Sequence, residues 1–334
     1  MKKSLLALAV LGAFAGAAYA QSSVTIWGIV DQSVNYVDNG GTHTTSMQSN
    51  QLSSNRLGFR GVEDMGGGLK AGFWLEAPMT TQDGNAAALN FTRRSTVSLL
   101  GAFGEIRLGR DYTPTFWNTV FGDVNGANGL GQYLNVGVTN NLGSGAATFV
   151  RANNTVGYFL PALGGVYGQV QVALGQGNDN NKYVGGRLGY GAGPVNVSVA
   201  YSQTSTIGGD FKVMNVGGSY DFGFLKLYGV YNQNKWTVAK MDSYGLSVGV
   251  PVGPGQLRGA YAHSKGDGGI VNDQKVDLYS VEYVYDLSKR TSLYTTYAHL
   301  DNKGGAKYTV LGGTAGNPLN DSSEGFNVGI RHAF

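Results

Sequence analysis

The stretch Leu69-Lys-Ala-Gly-Phe-Trp-Leu-Glu76 alternates apolar and polar side chains along most of its length. Successive side chains of a β-strand point to opposite sides, so this stretch would form a strand with one apolar and one polar face. The same alternation recurs in Val195–Tyr201 and, less strictly, in Leu278–Tyr285. Such strands need an apolar medium on one side and a polar medium on the other. The alternation therefore predicts an all-β protein with two-faced walls.

Turn-forming residues separate these stretches at a steady spacing from one end of the chain to the other. Short turns are predicted at 64–68, 101–104, 161–165, 191–194, 222–223, 251–255 and 288–290. Long polar loops are predicted at 38–52, 81–90, 112–147, 176–181, 203–210, 233–241, 264–275 and 302–322. This alternation of turns and loops predicts a 16-stranded antiparallel up-and-down transmembrane β-barrel. The alternative is a soluble β-sandwich or barrel, which does not need an apolar face on nearly every strand.

A lipid environment also explains why the sheet should close, because lipid cannot satisfy the free N–H and C=O groups of a strand edge. Aromatic residues near the strand ends support this prediction, since rings with a polar tip suit the headgroup regions of a membrane. The residues expected in these two belts are Trp27, Tyr36, Tyr190, Tyr201, Tyr220, Tyr228, Tyr231, Tyr283, Tyr285, Tyr294 and Tyr297.

The first twenty residues have the features of a secretory signal. Lys2 and Lys3 precede the apolar run Leu5–Gly16, and Ala18-Tyr-Ala20 fits the small-x-small rule for signal peptidase. The apolar run is shorter than the roughly 20 residues of a membrane-spanning helix. We therefore expect a cleaved signal peptide at 1–20 and a single barrel domain at 21–334.

Composition argues against several other classes of protein. The 334-residue chain has no Cys, 13% charged residues and a net charge of +3. The absence of Cys excludes disulfides and thiolate chemistry, and so small a charge gives no case for a nucleic-acid partner. None of the four His residues stands at ligand spacing with another, so the sequence predicts no metal site and no cofactor. These residues are His43, His263, His299 and His332.

The last stretch, Glu324–Phe334, alternates again and ends on Phe334. A terminal Phe resembles the assembly signal that is read by the outer-membrane barrel-assembly machinery. Several further blocks are similar to those of the general Gram-negative porins of the Neisseria and Burkholderia type: Ser23–Asp31, Ser54–Asp64, Gly68–Ala71, Arg93–Leu99, Gly104–Pro114 and Tyr285–Arg290. The resemblance covers the whole mature chain. It implies a homotrimeric channel for ions and small hydrophilic solutes, surrounded by the lipid and lipopolysaccharide of the bacterial outer membrane.

The resemblance also implies a role for the longest loop, 112–147. In this family the loop after the fifth strand folds into the barrel and narrows the pore. In this chain the loop carries the aromatic residues Tyr112, Phe116, Trp117 and Phe121, and a surface loop seldom exposes so much apolar area. We expect an inward fold that presents Asp123 as the negative side of the constriction. The alternative is a flap that points outward.

Strand alternation predicts which charged side chains face the lumen, because a lipid-facing Arg near the membrane midplane would cost about 2–4 kcal/mol. The expected basic wall of the constriction consists of Arg56, Arg94 and Arg151, which resemble the basic cluster of anion-preferring family members. Further residues expected in the lumen are Arg60, Lys70, Glu76, Glu105, Arg107, Asp111, Asn153, Thr155 and Arg187, whereas Arg93 is expected outside. The alternative is that the Arg residues only pair with wall carboxylates such as Glu76 and Glu105 and give the pore no ion preference.

These features together predict a general diffusion porin with a mild preference for anions and no enzymatic activity. The alternatives are a solute-specific channel, a barrel enzyme and an adhesin. Gly245-Leu-Ser-Val-Gly249 matches the nucleophile-elbow pattern of hydrolases. That motif requires a strand-to-helix turn, however, and here it lies within an alternating stretch.

Overall fold

The computed structural model describes residues 23–84, 89–175 and 182–334. The predicted signal peptide at 1–20 and the predicted loop at 176–181 lie outside the described residues. No helix in the described part of the chain has the length and apolarity required to cross a membrane.

The described residues form seventeen strand segments and little helix. The strands are β1 (Ser23–Asn39), β2 (Thr42–Ser49), β3 (Arg56–Gly66), β4 (Leu69–Pro78), β5 (Arg94–Gly101), β6 (Gly104–Tyr112), β7 (Arg151–Phe159), β8 (Val166–Ala173), β9 (Tyr183–Ala192), β10 (Val195–Thr206), β11 (Gly209–Asp221), β12 (Lys226–Trp236), β13 (Ala239–Val252), β14 (Gly255–Asp267), β15 (Lys275–Asp286), β16 (Thr291–Lys303) and β17 (Ser323–Ala333). Helix α1 spans Pro114–Phe121, and two 3₁₀ turns span Tyr133–Val136 and Gly269–Val271.

The sheet closes into a barrel because β1 pairs with β17 on one side and with β2 and β3 on the other. The segments β2 and β3 lie along the same neighbour and are separated by the break at 50–55, so they share one position in the wall. Every other strand pairs with its neighbours in sequence, and all pairings are antiparallel. Within the described residues the wall therefore has sixteen strand positions, which confirms the predicted fold class.

The two faces of the wall differ in the way that the alternation predicts. On β10, the side chains of Val197 and Val199 are 49% and 53% exposed, whereas those of Ser198 and Ala200 are 4% and 1% exposed. The outward face is thus apolar and the inward face is small or polar. In a soluble protein the apolar face of a sheet points inward, and here it points outward. This arrangement suits a wall that has lipid outside and water inside.

Three of the predicted long loops are wrong. Residues 38–52 contain the end of β1, a two-residue turn at 40–41 and the whole of β2. The predicted loops at 203–210 and 233–241 are two-residue turns at 207–208 and 237–238. These strands continue past the apolar band, where both faces meet polar surroundings. A polar composition does not distinguish a loop from a strand there. Long connections do occur at 113–150 and 304–322.

Most of the residues named for the aromatic belts lie on the outward face. Tyr36, Tyr190, Tyr201, Tyr220, Tyr285 and Tyr297 are exposed on the outward face. Three of the predicted belt residues belong to the inward face and are corrections: Trp27, Tyr228 and Tyr294. Trp27 packs edge-on against Trp74, with ring centroids 5.5 Å apart. Proximity to a strand end does not decide the face; the position in the alternation does.

Candidate functional site

The connection at 113–150, here called the lumen segment, leaves the wall after β6 and lies against inward-facing side chains of other strands. The Nδ2 of Asn118 donates to the Oδ1 of Asn215 at 3.0 Å. The Oγ of Ser264 donates to the carbonyl oxygen of Val136 at 2.6 Å. Asn215 and Ser264 are both fully buried on the polar faces of their strands. The lumen segment therefore runs inside the ring of strands.

Local sequence explains how the lumen segment begins. The side chain of Thr113 accepts a hydrogen bond from the backbone N–H of Phe116 at 3.4 Å, and Pro114 occupies the first helical turn. Both features favour a helix start, because a hydroxyl satisfies a free N–H and Pro has no N–H to satisfy. Phe116 then enters a buried apolar cluster with Leu130 and Val136. Trp117 and Phe121 remain partly exposed and stack at 6.1 Å.

The tip of the lumen segment reaches the break between β2 and β3. The Oγ of Ser54 donates to the Oδ1 of Asn128 at 2.7 Å. The break itself is held by Asp31, whose Oδ2 accepts the backbone N–H groups of Leu52 and Ser53. The segment thus has anchor points both on β11 and β14 and at this break.

A basic cluster, defined as Arg56, Arg93 and Arg151 with Glu76 and Tyr112, lies where β3 to β7 meet the start of the lumen segment. Glu76 accepts from Arg56 at 3.1 Å and from Arg93 at 2.6 Å. The hydroxyl of Tyr112 accepts from Arg93 and from Arg151, both at 2.8 Å. The guanidinium carbon of Arg151 also stands 4.3 Å from the centre of the Tyr112 ring. The cluster therefore contains three guanidinium groups and one carboxylate, which bonds to Arg56 and Arg93.

A second group lies beside the basic cluster and is balanced in charge. Arg107 pairs with Glu105 at 2.8 Å and with Asp111. Arg94 lies 3.6 Å from Asp111, and its guanidinium carbon stands 4.5 Å from the centre of the Trp74 ring. We call Arg94, Arg107, Glu105 and Asp111 the balanced group, since two positive charges face two negative charges.

The structure corrects two predictions that rest on strand alternation. Arg93 was expected outside but bonds to the inward residues Glu76 and Tyr112. It precedes β5, so the alternation of that strand does not apply to it. Asn153 was expected in the lumen but contacts Arg110 on the outward face. A bulge shifts the register between β6 and β7, and it reverses the alternation at this point.

Asp123 lies in the lumen segment as predicted, but its carboxylate does not point into the pore. Its oxygens accept the backbone N–H groups of Asn125 at 3.0 Å, Tyr133 at 3.1 Å and Ala127 at 3.2 Å. Burial raises the pKa of Asp123 above its ordinary value. The expectation that Asp123 forms the negative side of a constriction is therefore wrong, because the carboxylate holds the fold of its own segment.

Most of the remaining predicted residues lie on inward faces of the wall. Arg60 and Lys70 are exposed on the polar faces of β3 and β4. Arg187 lies between the rings of Phe121 and Tyr167, each 5.1 Å from its guanidinium carbon. Thr155 is buried and donates to the carbonyl oxygen of Gly109 at 2.7 Å. Phe334 ends the chain, and its backbone N–H and C=O pair with Gly28.

Sequence reasoning missed a further ion pair in the barrel interior. Arg258 on β14 pairs with Glu282 on β15 at 2.8 Å. Leu257 is exposed on the outward face, so the alternation of β14 already placed Arg258 inside.

Known proteins resemble this chain in sequence and in structure. The family model described as Gram-negative porin matches residues 7–305. Outer membrane porin protein 32 of Delftia acidovorans is 42% identical over the full length of both chains. The major outer membrane protein P.IB of Neisseria meningitidis serogroup A is 28% identical, again over the full length of both chains.

Solved structures agree with these sequence matches. The anion-selective porin from Comamonas acidovorans has 38% sequence identity and a TM-score of 0.87, with 94% of this chain and 100% of that chain covered. A trimer form of OmpT from Vibrio cholerae has 14% identity and a TM-score of 0.70, with 94% and 99% covered. At that identity, the second likeness concerns the fold alone.

Proposed function

This chain belongs to the Gram-negative porin family, and we propose that the pore it forms has a mild preference for anions. Family and fold make it a passive channel of the bacterial outer membrane. Solutes cross such a barrel by diffusion through its water-filled interior, and the narrowest point selects them by size and charge.

The observation that carries the proposal is the charge of the basic cluster. Arg56 and Arg93 contact the single carboxylate of Glu76, and the Tyr112 hydroxyl holds Arg151 beside Arg93. The balanced group and the pair of Arg258 with Glu282 contribute no net charge nearby. A guanidinium stays charged at any working pH, so the cluster provides a fixed excess of positive charge. The solved relative with 38% identity is described as anion-selective, which supports the same sign of preference.

The lumen segment provides the second half of the proposed constriction. It lies inside the barrel and follows directly after Tyr112, the residue that holds Arg93 and Arg151. A solute that passes between the wall and this segment therefore passes the basic cluster. The preference remains mild, because Glu76 neutralises part of the excess charge and the pore also holds balanced pairs.

The test is the reversal potential of the purified protein in a planar bilayer that separates two salt concentrations. We expect the wild type to favour chloride and Arg93→Gln to shift the reversal potential towards cations. Arg290→Gln, in a short turn between β15 and β16, removes the same charge elsewhere and serves as the control. An unchanged potential for Arg93→Gln would remove the basic cluster from the conduction path.

Family and fold point to a channel and not to an enzyme, and we include the absence of catalysis in the proposal. The pattern Gly245–Gly249 lies inside β13, without the strand-to-helix turn that a nucleophile elbow requires. The Oγ of Ser247 accepts the backbone N–H of Val124 at 3.0 Å. Ser247 therefore positions the lumen segment.

The partners that we propose follow from the family and from the shape of the wall. A solved relative of the same fold is described as a trimer, and we propose a homotrimer here. We also propose contact with lipid and lipopolysaccharide through the exposed outward face, and recognition of Phe334 by the barrel-assembly machinery. A signal peptide at 1–20, cleaved to leave a mature domain at 21–334, completes the proposal.

A further inference from the structure

A cavity of about 420 Å³ opens on the inward faces of β3 to β6. The inward-facing part of its lining includes Arg60, Trp74, Arg94, Ser98, Glu105 and Arg107, and apolar residues such as Val62 and Phe73 contribute the rest. Its volume lies within the usual range of small-molecule sites. Trp74 lies two residues before Glu76 on the same face of β4. The cavity is therefore adjacent to the basic cluster.

The space exists because the inward face of β4 has a glycine beside Trp74. The inward positions of this strand are Lys70, Gly72, Trp74 and Glu76. A Cβ added at Gly72 would meet nothing closer than Leu100, at 3.4 Å. The flat Trp74 ring thus stands at the side of a gap instead of packing against another large side chain from its own strand.

Two guanidinium groups lie over the Trp74 ring, and they differ in their partners. The guanidinium carbon of Arg94 stands 4.5 Å from the ring centre, and Arg94 also faces the carboxylate of Asp111. The guanidinium carbon of Arg60 stands 5.2 Å from the ring centre, and the side chain is exposed. Within the described residues no carboxylate lies within 4 Å of Arg60. Arg60 is therefore the charge that is available to a solute.

We propose that this cavity is a binding subsite for small aromatic carboxylates. When such a solute binds, Arg60 turns towards the carboxylate of the solute, because a planar guanidinium matches a carboxylate in shape and charge. The ring of the same solute then takes the face of Trp74 that Arg60 leaves, in the offset arrangement that aromatic pairs prefer. Trp27, edge-on to Trp74 at 5.5 Å, closes one side of the stack.

This inference deepens the proposed function, because it names a class of solute for a pore that favours anions. It also rests on that function, since a solute reaches the cavity through the pore. Carboxylates without a ring would gain the charge contact alone, and uncharged rings would gain the stacking alone. Only a solute with both groups uses the whole site.

The experiment measures block of the salt current through the purified protein in a planar bilayer. The probes are benzoate, acetate and benzamide, which supply both groups, the charge alone and the ring alone. We expect benzoate to block at about tenfold lower concentration than either of the others, since its carboxylate bonds to Arg60 and its ring stacks on Trp74. Equal block by benzoate and acetate would overturn the proposal.

Two variants locate the block in this cavity. Arg60→Gln should raise the half-blocking concentration of benzoate about tenfold, with Arg290→Gln as the control of equal charge. Gly72→Leu keeps every charge and fills the space, so it should abolish the difference between benzoate and acetate. An unchanged benzoate block in both variants would place the block elsewhere and overturn the inference.

The proposed function and the proposed subsite are contradicted by different results. A folded wild-type protein that carries no current would sink the proposed function and the inference with it. A wild-type pore that conducts and favours anions, but that benzoate does not block, would leave the proposed function intact and reject the subsite.

Discussion

Tyr112 holds two positive side chains through a single oxygen atom. Its hydroxyl accepts from Arg93 and Arg151, each at 2.8 Å. Tyr112→Phe leaves both guanidinium groups without that acceptor, so the free energy of unfolding should fall by about 1–3 kcal/mol. The reversal potential should change little, because every charge remains. Thermal unfolding in detergent measures the first effect.

The matched control for this change is Tyr36→Phe. The hydroxyl of Tyr36 lies 2.9 Å from the Nδ1 of His43 on the exposed outward face. Water replaces an exposed hydrogen bond at small cost, so this variant should lose less stability than Tyr112→Phe. Equal losses of unfolding free energy in the two variants would show that the shared acceptor stabilises the protein no more than an ordinary exposed hydrogen bond.

Glu76 is the only carboxylate that contacts the basic cluster within the described residues. Glu76→Gln keeps the shape of the side chain and removes its charge, so the positive excess of the cluster grows by one. We expect a reversal potential shifted further towards anions, together with a loss of about 3–5 kcal/mol, because the Arg groups lose their partner. Glu324→Gln, on the outward face beside His299, is the control. A shift towards cations would contradict the proposed site.

At the scale of single residues, strand alternation predicted the correct face for most charged and amide side chains of the wall and failed for Arg93 and Asn153. Arg56, Glu76 and Arg107 follow the alternation of their strands. Arg93 precedes its strand, so it escapes the rule, and Asn153 lies in a bulge that reverses the rule. Alternation describes regular strands, and no local signal in the sequence marks where a strand starts or bulges to within one residue.

At the scale of elements, the lumen segment is fixed by a close approach of two backbones. Gly129 has a φ of +78°, and a Cβ added there would stand 2.1 Å from the carbonyl oxygen of Gln51. Gly129→Ala should therefore push the tip of the segment away from the break at 50–55. We expect a larger or noisier single-channel conductance, measured in the same salt on both sides of a planar bilayer.

The lumen segment offers its own control for this change. Gly145 has a φ of +75°, and nothing lies within 4 Å of an added Cβ. Gly145→Ala thus carries the same backbone strain, about 1–2 kcal/mol, without the collision. A conductance change of equal size in both variants would assign the effect to strain and not to the contact between the tip and the wall.

The sequence predicted the existence of this segment but not its contacts. Its length and its aromatic residues favoured an inward fold, and Phe116 is buried as that expectation requires. The anchors on Asn215, Ser264 and Ser54 join positions that are far apart in sequence. Hydrophobic periodicity carries no information about such pairs. For the same reason, the inner role of Asp123 was missed.

At the scale of the whole molecule, closure of the barrel was the most predictable feature. Alternation along nearly every strand required a lipid-facing wall, and lipid permits no free strand edge. The strand count came out correctly even though three predicted loops were wrong. In those three places the strands are longer than predicted, so the turns lie further from the apolar band. The order and direction of the strands are the same in either case.

Phe334 pairs with β1 where the barrel closes. Its contribution to the stability of the wall and its proposed role as an assembly signal can be separated by experiment. Its backbone pairs with Gly28 through bonds of 3.0 and 3.1 Å, and its ring lies where a Cβ on Gly28 would stand. Phe334→Ala keeps both backbone bonds and removes only the ring. The protein refolded in detergent should therefore lose less than about 2 kcal/mol of stability, since the exposed ring buries little apolar area.

In cells the same variant should behave differently if the terminal ring is an assembly signal. We expect Phe334→Ala to lower the amount of folded protein in the outer membrane several-fold more than its loss of stability explains. Ile330→Ala removes an exposed apolar side chain from the same face of β17 and leaves the last residue intact, so it should assemble almost normally. Parallel measurement of membrane-assembled protein and of refolded stability decides the question. If the two variants assemble equally well, Phe334 acts in this barrel only as the last residue of its wall.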